Sequence, residues 1–207
     1  SLCNGGFDLS PTAGTASGVH PVPLGYSRVY VQTGERFSLE AWLAELKQGR
    51  SFVTTGPMLF AQVNGASPGE RFAYSSRESR EFNVTIESQS EKPITAIEIL
   101  VNGKVAERIE PACNQTAAGG WEFHAKRAVT LNDSGWIAAR SIEVQPDGRK
   151  RFAHTAPWFV SMAERPRTPR EEQIEYLIAQ MEREIARNRE VLSSDALAEF
   201  AHALKIY

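Results

Sequence analysis

The sequence predicts an α+β protein, built mainly as an antiparallel β-sandwich with helical segments before and after it along the chain. Three patterns support this prediction. A strand, helix and strand occupy residues 1–57, short alternating segments with turn signals occupy 58–164, and helical periodicity occupies 165–207. We therefore expect three parts with those boundaries.

The first part should begin as a loop and end as a strand, helix and strand. Residues 1–25 are rich in Gly, Ser, Thr and Pro, which break regular structure. The segment 26–31 predicts a strand, Ser38 is a suitable N-cap for a helix that ends at Gly49, and 52–54 predicts a short buried strand. The apolar face of the helix comprises Leu39, Trp42, Leu43 and Leu46. This order is typical of a βαβ unit, whose two strands would be parallel.

The middle part has the pattern of an antiparallel sandwich. Asn102-Gly103 lies between two apolar segments and predicts a type I′ hairpin. The expected strands are 58–63, 82–86, 94–101, 104–109, 121–131, 136–144 and 152–162. About seven strands without intervening helices are typical of an immunoglobulin-like sandwich.

The last part predicts a hairpin of two amphipathic helices. Thr168-Pro169-Arg170-Glu171 forms a capping box with proline at the expected first helical position. A second helix should begin near Ser193 or Ser194. The apolar positions are Ile174, Leu177, Ile178, Met181 and Ile185 in the first helix, and Leu197, Phe200, Ala201 and Leu204 in the second. These stripes must cover another part of the protein or a partner chain.

Composition excludes some classes of function. The 207 residues carry a net charge of −2 without a basic block, which argues against nucleic acid as the main partner. No apolar run is long enough to cross a membrane as a helix. Cys3 and Cys113 allow one long-range disulfide or two buried thiols, and the thiols are favoured. The chain begins at Ser1, and we expect it to derive from a longer protein, whose compartment the sequence leaves open and for which export is one alternative.

Few residues have a pattern typical of catalysis. None of the four histidines has metal-site spacing, so we expect structural roles for His124, His154 and His202. His20 is the best functional candidate because it lies in a Gly-rich loop beside proline. Ser17 lies in a Gly-flanked loop that could form an anion-binding nest, although a plain structural loop is favoured.

Two further groups of residues have alternative interpretations. Arg28 could bind an anion or stack between Tyr26 and Tyr30, although an ordinary ion pair is favoured. We expect core positions for Trp121, Trp136 and Trp158. If they instead formed an exposed row, the sandwich would be a carbohydrate- or polymer-binding module.

Six short segments together carry a family resemblance. They are SPTAGTASGV at 10–19, PLGYSRVYV at 23–31, GRSFVTTGP at 49–57, VNG at 63–65, GWIAAR at 135–140 and AHTAP at 153–157. In this order they resemble the C-terminal part of carbaryl-hydrolase-like metallohydrolases of the polymerase and histidinol phosphatase (PHP) superfamily. The resemblance extends to about residue 162.

The resemblance implies a supporting role for this chain. Members of the family hold metal ions in a distorted β/α barrel and hydrolyse phosphoester or related ester bonds, with ligands mainly from upstream segments. The wider superfamily has Gly-Ser/Thr-Asp-x-His near the end of its barrel, whereas here Ala16 stands at the Asp position and Gly18 at the His position. We therefore expect no catalytic residue, metal ligand or cofactor in this chain, and a divalent metal only in the parent barrel.

The resemblance also implies which residues and partners matter. Residues 1–57 would be the barrel remnant, and the candidate residues of the active-site rim are Ser17, His20, Arg28 and Thr55. The expected partner is the N-terminal barrel of the same protein. The alternatives are a carbohydrate- or polymer-binding module, or a homo-oligomer assembled through the C-terminal helices; no nucleic acid or membrane partner is expected.

Overall fold

The computed structural model describes residues 2–16, 18, 21–163, 167–169 and 171–205. The chain divides into two compact units, one formed by Ser1–Phe7 with Arg167–Tyr207 and the other by Asp8–Pro166. In the described part of the larger unit, the elements are β1 (Arg28–Val31), α1 (Leu39–Lys47), β2 (Ser51–Thr54), β3 (Met58–Val63), β4 (Arg71–Tyr74), β5 (Arg80–Ser90), β6 (Ala96–Val101), β7 (Lys104–Ile109), β8 (Asn114–Gln115), β9 (Trp121–Leu131), β10 (Gly135–Val144), β11 (Lys150–Thr155) and β12 (Trp158–Met162).

The larger of two sheets has eight strands and is centred on β10. One edge of β10 pairs with β6, which pairs in turn with β7. Its other edge pairs with β11 and then with β12. Beyond these, β2 pairs with β11 and carries β1 at the sheet edge, while β4 is parallel to β12.

The smaller sheet has the strand order β3-β5-β9-β8, and all of its pairs are antiparallel. Along β5, Phe82, Val84 and Ile86 are buried whereas the residues between them are more exposed. This alternation packs one face of the sheet on the core and leaves the other face outward.

A common core joins the two sheets. Ile86 of β5, Ile99 of β6 and Ile137 of β10 belong to one buried cluster. Trp158 is fully buried, and its indole N–H donates to the Ala66 carbonyl at 2.9 Å. The coarse prediction of an α+β protein with mostly antiparallel sheets is therefore confirmed.

The prediction of parallel strands around α1 is wrong. β1 and β2 are antiparallel, with Val31 directly opposite Ser51. The Gln32 amide donates to the Arg50 carbonyl at 2.8 Å. The segment that contains α1 therefore leaves β1 and enters β2 at the same end of the strand pair. A parallel pair would need a crossover that returns the chain to the opposite end. Because β2 also pairs with β11, the expected boundary at residue 57 does not separate two sheets.

The expected strand 152–162 is divided into β11 and β12. Ala138 and Ala139 of β10 lie opposite three residues, Thr155, Ala156 and Pro157. The line formed by β11 and β12 therefore carries one extra residue, which is a β-bulge. Pro157 has no N–H for the ladder. The Ala139 amide instead donates to the Thr155 hydroxyl at 3.0 Å.

The short strands β4 and β8 were not predicted. β4 depends on β12, which lies far away in sequence, whereas β8 has only two residues and forms a short hairpin with β9. The turn prediction is confirmed, because Asn102 and Gly103 both have positive φ between paired Val101 and Lys104.

Among the described residues, the smaller unit contains a short 3-10 helix (Leu2–Gly5) and two α-helices, α2 (Glu171–Asn188) and α3 (Ser194–Leu204), which contact each other. α3 begins at Ser194, as expected, and the Ser193 hydroxyl caps it by accepting from the Ala196 amide. Arg170 of the predicted capping box lies outside the described residues. Because α2 begins at Glu171, Pro169 precedes the helix instead of occupying its first position. The ring of Pro169 lies beside Gly6.

The described residues also bear on the cysteines and on membrane-spanning helices. Neither Cys3 nor Cys113 forms a disulfide there. The described helices include none with the length and hydrophobicity needed to span a bilayer.

A substitution of Gly69 tests the close contact between the loop after β3 and the backbone of Gln48. It has φ +86°, and a Cβ at this position would lie 2.0 Å from the Gln48 carbonyl oxygen. Because this obstacle is backbone, we expect Gly69→Ala to lower the free energy of unfolding by about 2–4 kcal/mol in denaturant titrations. Gly34→Ala is the matched control because its Cβ would meet no atom within 4 Å. Equal stability of the two variants would contradict the close approach.

Candidate functional site

A cleft of about 830 Å³ lies in the larger unit. One side is formed by β1 and β2 at the edge of the larger sheet, and the other by β3, β5 and β9 of the smaller sheet. Ser67 and Pro68, from the loop held by Gly69, also line it. The volume is within the usual range for small-molecule sites.

The outward face of the smaller sheet provides the floor of the cleft. Leu59, Ala61 and Val63 of β3 point into the core, so Phe60 and Gln62 point outward. The strand register places Phe60 beside Glu87 and Glu87 beside His124. Two residues further along, Gln62 lies beside Thr85 and Thr85 beside Lys126. The floor therefore has two rows of three side chains.

An aromatic series forms the wall and extends into the floor. The rings of Tyr30 and Phe52 are stacked at 5.2 Å, and Phe52 meets Phe60 edge-on at 5.8 Å. Phe52 is buried, whereas Tyr30 is 37% and Phe60 48% exposed. The buried central ring thus holds two accessible rings in place, one from each sheet.

The charged groups of the cleft are nearly balanced. Glu87 accepts from the Gln89 amide at 2.9 Å. The two nitrogens of His124 lie 4.0 Å from a Glu87 oxygen and 3.9 Å from a Glu122 oxygen, distances too long for hydrogen bonds. Lys126 adds a cation to the floor, and Arg50 at the edge pairs with Glu45 at 3.1 Å.

The predicted rim residues do not form one site among the described residues. Arg28 is exposed on β1, with its guanidinium carbon 5.9 Å from the centre of the Tyr30 ring. The Thr55 hydroxyl accepts from the Phe152 amide at 3.1 Å, which fastens the end of β2 to β11. Neither Arg28 nor Thr55 is among the described residues that line the cleft. Ser17 and His20 lie outside the described residues.

The described histidines differ in their surroundings. His154 lies opposite Arg140 on the larger sheet, and its Nδ1 donates to the Thr155 carbonyl at 2.7 Å. Burial lowers the pKa of His154 below its usual value, and the nearby Arg140 acts in the same direction, although the Thr155 carbonyl opposes them. His124 faces the cleft, and His202 is exposed on α3.

Beside His154 lies an ion-pair group with a buried carboxylate. Glu98 of β6 is 4% exposed and pairs with Arg108 and Arg140. A buried carboxylate without cationic partners would be strongly destabilising, so we interpret these arginines as structural.

The described residues do not fit a metal centre of the kind that the family resemblance implies for a parent barrel. No group of three or more His, Cys, Asp or Glu side chains comes together among them. Ala16 and Gly18 carry no side-chain donor atom.

The tryptophan prediction is largely confirmed. Trp136 and Trp158 are buried, and Trp121 is partly buried. An exposed tryptophan row therefore does not provide a binding surface. The accessible aromatic residues of the cleft are Tyr30 and Phe60 instead.

The sequence analysis missed the cleft. A signal was present in β3, where Phe60 is an aromatic residue at an outward position between buried Leu59 and Ala61. Glu87 and Lys126 gave no such signal, because charged residues on the outward face of a strand are common. Only the strand register brings them beside Phe60 and His124.

Comparisons with protein-family models, curated proteins and solved structures gave no match.

His154 gives a pH test of the larger sheet. Its pKa is lowered in the folded protein from an ordinary value of 6.5, so the unfolded chain binds a proton more readily. Its contribution to stability is complete above pH 6.5 and is lost as the pH falls from there toward the folded pKa. We expect thermal unfolding between about pH 8 and about pH 5 to be less pH-dependent in His154→Gln than in the wild type.

The control for this test is His202→Gln, which changes an exposed histidine on α3 and should retain the wild-type pH dependence. An unchanged pH dependence in His154→Gln would show that burial of this imidazole does not affect folding.

Proposed function

We propose that this chain is a non-catalytic C-terminal region of a PHP-like metal-dependent hydrolase, which supports the barrel of that enzyme and shapes its active-site rim. The six resembling segments support the proposal. The observation that carries it is an exposed apolar surface formed by Phe37, Leu39 and Leu43, which are 73%, 60% and 51% exposed. We call these three residues the α1 surface.

The α1 surface is suited to packing against another domain. Leu39 and Leu43 are four residues apart on α1 and therefore lie on the same helix face. Single exposed apolar residues are ordinary, but adjacent ones are typical of contact surfaces. Complete burial of a leucine side chain contributes about 1.5–3 kcal/mol.

The neighbouring strand is open as well. β1 pairs only with β2 and therefore leaves one edge of the larger sheet without a partner strand among the described elements. Such an edge readily accepts another chain segment. The open edge of β1 and the α1 surface both lie within residues 28–43. We propose that the barrel docks on this segment.

The finer fold assignment is part of the proposal. We take the sandwich to be immunoglobulin-like and residues 1–57 to derive from the end of a barrel. Two stacked, mainly antiparallel sheets support the first assignment. The segments at 10–19, 23–31 and 49–57 support the second. In this arrangement metal ions and catalytic groups belong to the parent barrel.

The double variant Leu39→Glu/Leu43→Glu tests barrel docking in a longer protein that includes the barrel. We expect a lower thermal midpoint and reduced metal-dependent phosphoesterase activity, because charges would replace two leucines that the docked barrel covers. A photo-crosslinker at residue 43 should link to barrel peptides identified by mass spectrometry. In the isolated chain the same variant should unfold at the wild-type temperature, since both positions are exposed.

The matched control is Val105→Glu, at an exposed apolar position on the opposite edge strand β7. It should leave stability and activity of the longer protein unchanged. The proposal is wrong if the double variant behaves like this control and residue 43 crosslinks only within its own region.

A second candidate function is assembly through the C-terminal helices. α2 and α3 are amphipathic, yet they contain no buried residue among those described. The apolar positions Leu177, Ile178 and Met181 are only partly buried. An apolar stripe of this kind is suited to helix pairing with a second copy of the chain.

Light scattering tests the assembly function. We expect the wild-type chain to be oligomeric and the variant Leu177→Glu/Ile178→Glu to be monomeric, with helix content checked by circular dichroism. Glu182→Gln on the exposed side of α2 is the control and should remain oligomeric. A monomeric wild-type chain at all concentrations would remove this function.

A further inference from the structure

We propose that the cleft between β1–β2 and the smaller sheet is a binding site for an uncharged oligosaccharide. In this site Tyr30 and Phe60 contact the apolar faces of sugar rings, and the polar side chains of the floor bind hydroxyl groups. The inference does not depend on the function proposed above, because it concerns a site contained within the larger unit.

The aromatic residues provide rigid contact surfaces. Phe52 is buried between Tyr30 and Phe60, with ring centres 5.2 Å and 5.8 Å away. A ligand that covers the two accessible rings therefore orders few side-chain rotamers on binding, which keeps the entropic cost low. Flat, partly apolar ring faces suit such surfaces.

The floor offers the hydrogen-bonding chemistry that hydroxyl groups require. Each sugar hydroxyl both donates and accepts. Glu87 accepts, Lys126 donates, and Gln62 and Thr85 do both. Neighbouring strands and successive outward residues space these groups on a grid of about 4.8 Å by about 6.8 Å. Adjacent hydroxyls of one ring can therefore meet different side chains at the same time.

The charge of the cleft disfavours anionic ligands. Glu87 and Lys126 contribute opposite charges to the floor, Arg50 is paired with Glu45, and Glu122 lies beside His124. A phosphate or polyuronate would meet carboxylates without an excess of cations. An uncharged ligand avoids this repulsion.

The strand pairing disfavours main-chain recognition of an extended peptide across the middle of the floor, although β1 and β3 are edge strands. Peptides that bind to sheets usually add to an open strand edge through their main chain. β5 pairs with β3 on one side and with β9 on the other, so its main-chain groups are already used. The floor therefore presents side chains, which suits a ligand recognised through hydroxyls.

The test uses the whole chain and measures chemical-shift changes and binding isotherms with cellohexaose, xylohexaose and maltohexaose. We expect at least one to bind saturably, with shifts at Tyr30, Phe60 and Lys126. Phe60→Ala and Tyr30→Ala should each weaken binding about tenfold or more, since each removes an accessible aromatic contact. Glu87→Gln should weaken binding to a smaller extent, because the amide retains an acceptor oxygen.

The matched control is Phe152→Ala, which removes an exposed aromatic ring of β11 that does not line the cleft. It should bind like the wild type, and all variants should retain the wild-type unfolding midpoint within a few degrees. The proposal is overturned if none of the three sugars binds, or if Phe60→Ala binds them as tightly as Phe152→Ala. It is also overturned if the resonances of the cleft residues respond to oligogalacturonate, or to an extended peptide of valine and threonine, and not to the neutral sugars. Because no barrel is needed, such a failure would leave the barrel-docking proposal unaffected.

Discussion

One extra residue in the line formed by β11 and β12 determines much of the larger sheet. Ala153 and Thr155 face the core side before the bulge, and regular alternation would then turn Pro157 and Phe159 inward. The bulge at Ala156 and Pro157 reverses this order, so that Trp158, Val160 and Met162 enter the core. Trp158 is the largest of the fully buried side chains, and its position depends on this shift.

The same bulge allows two different strands to pair on one side of the line. β2 pairs antiparallel with β11, and β4 pairs in parallel with β12. β2 then carries Phe52 to the edge of the larger sheet, where it meets Phe60 of the smaller sheet. The wall of the cleft therefore depends on the pairing of β2 with β11.

Strand bounds and helix starts were predicted from the sequence more accurately than strand directions. The bounds of β3 and β9 were predicted because these strands alternate and turn residues follow them closely, and the start of β7 was predicted because Asn102-Gly103 precedes it. The N-cap Ser38 and the start of α3 near Ser193 or Ser194 were predicted because capping depends on a side chain and an amide three residues away. The direction of β2 relative to β1 was predicted wrongly. The same order of strand, helix and strand fits a parallel or an antiparallel pair until the sheet partners are known.

The sequence by itself determined the local structure: the turns at Asn102-Gly103, the amphipathic helices and the alternating strands all depend on interactions within a few residues. Only the tertiary structure decided that Phe60, Glu87, His124 and Lys126 share a cleft with Tyr30. These residues come from four strands separated by long stretches of chain, and their proximity follows from strand register and sheet packing. Long-range pairing depends on the combined burial of the whole core, which no short segment of the sequence encodes.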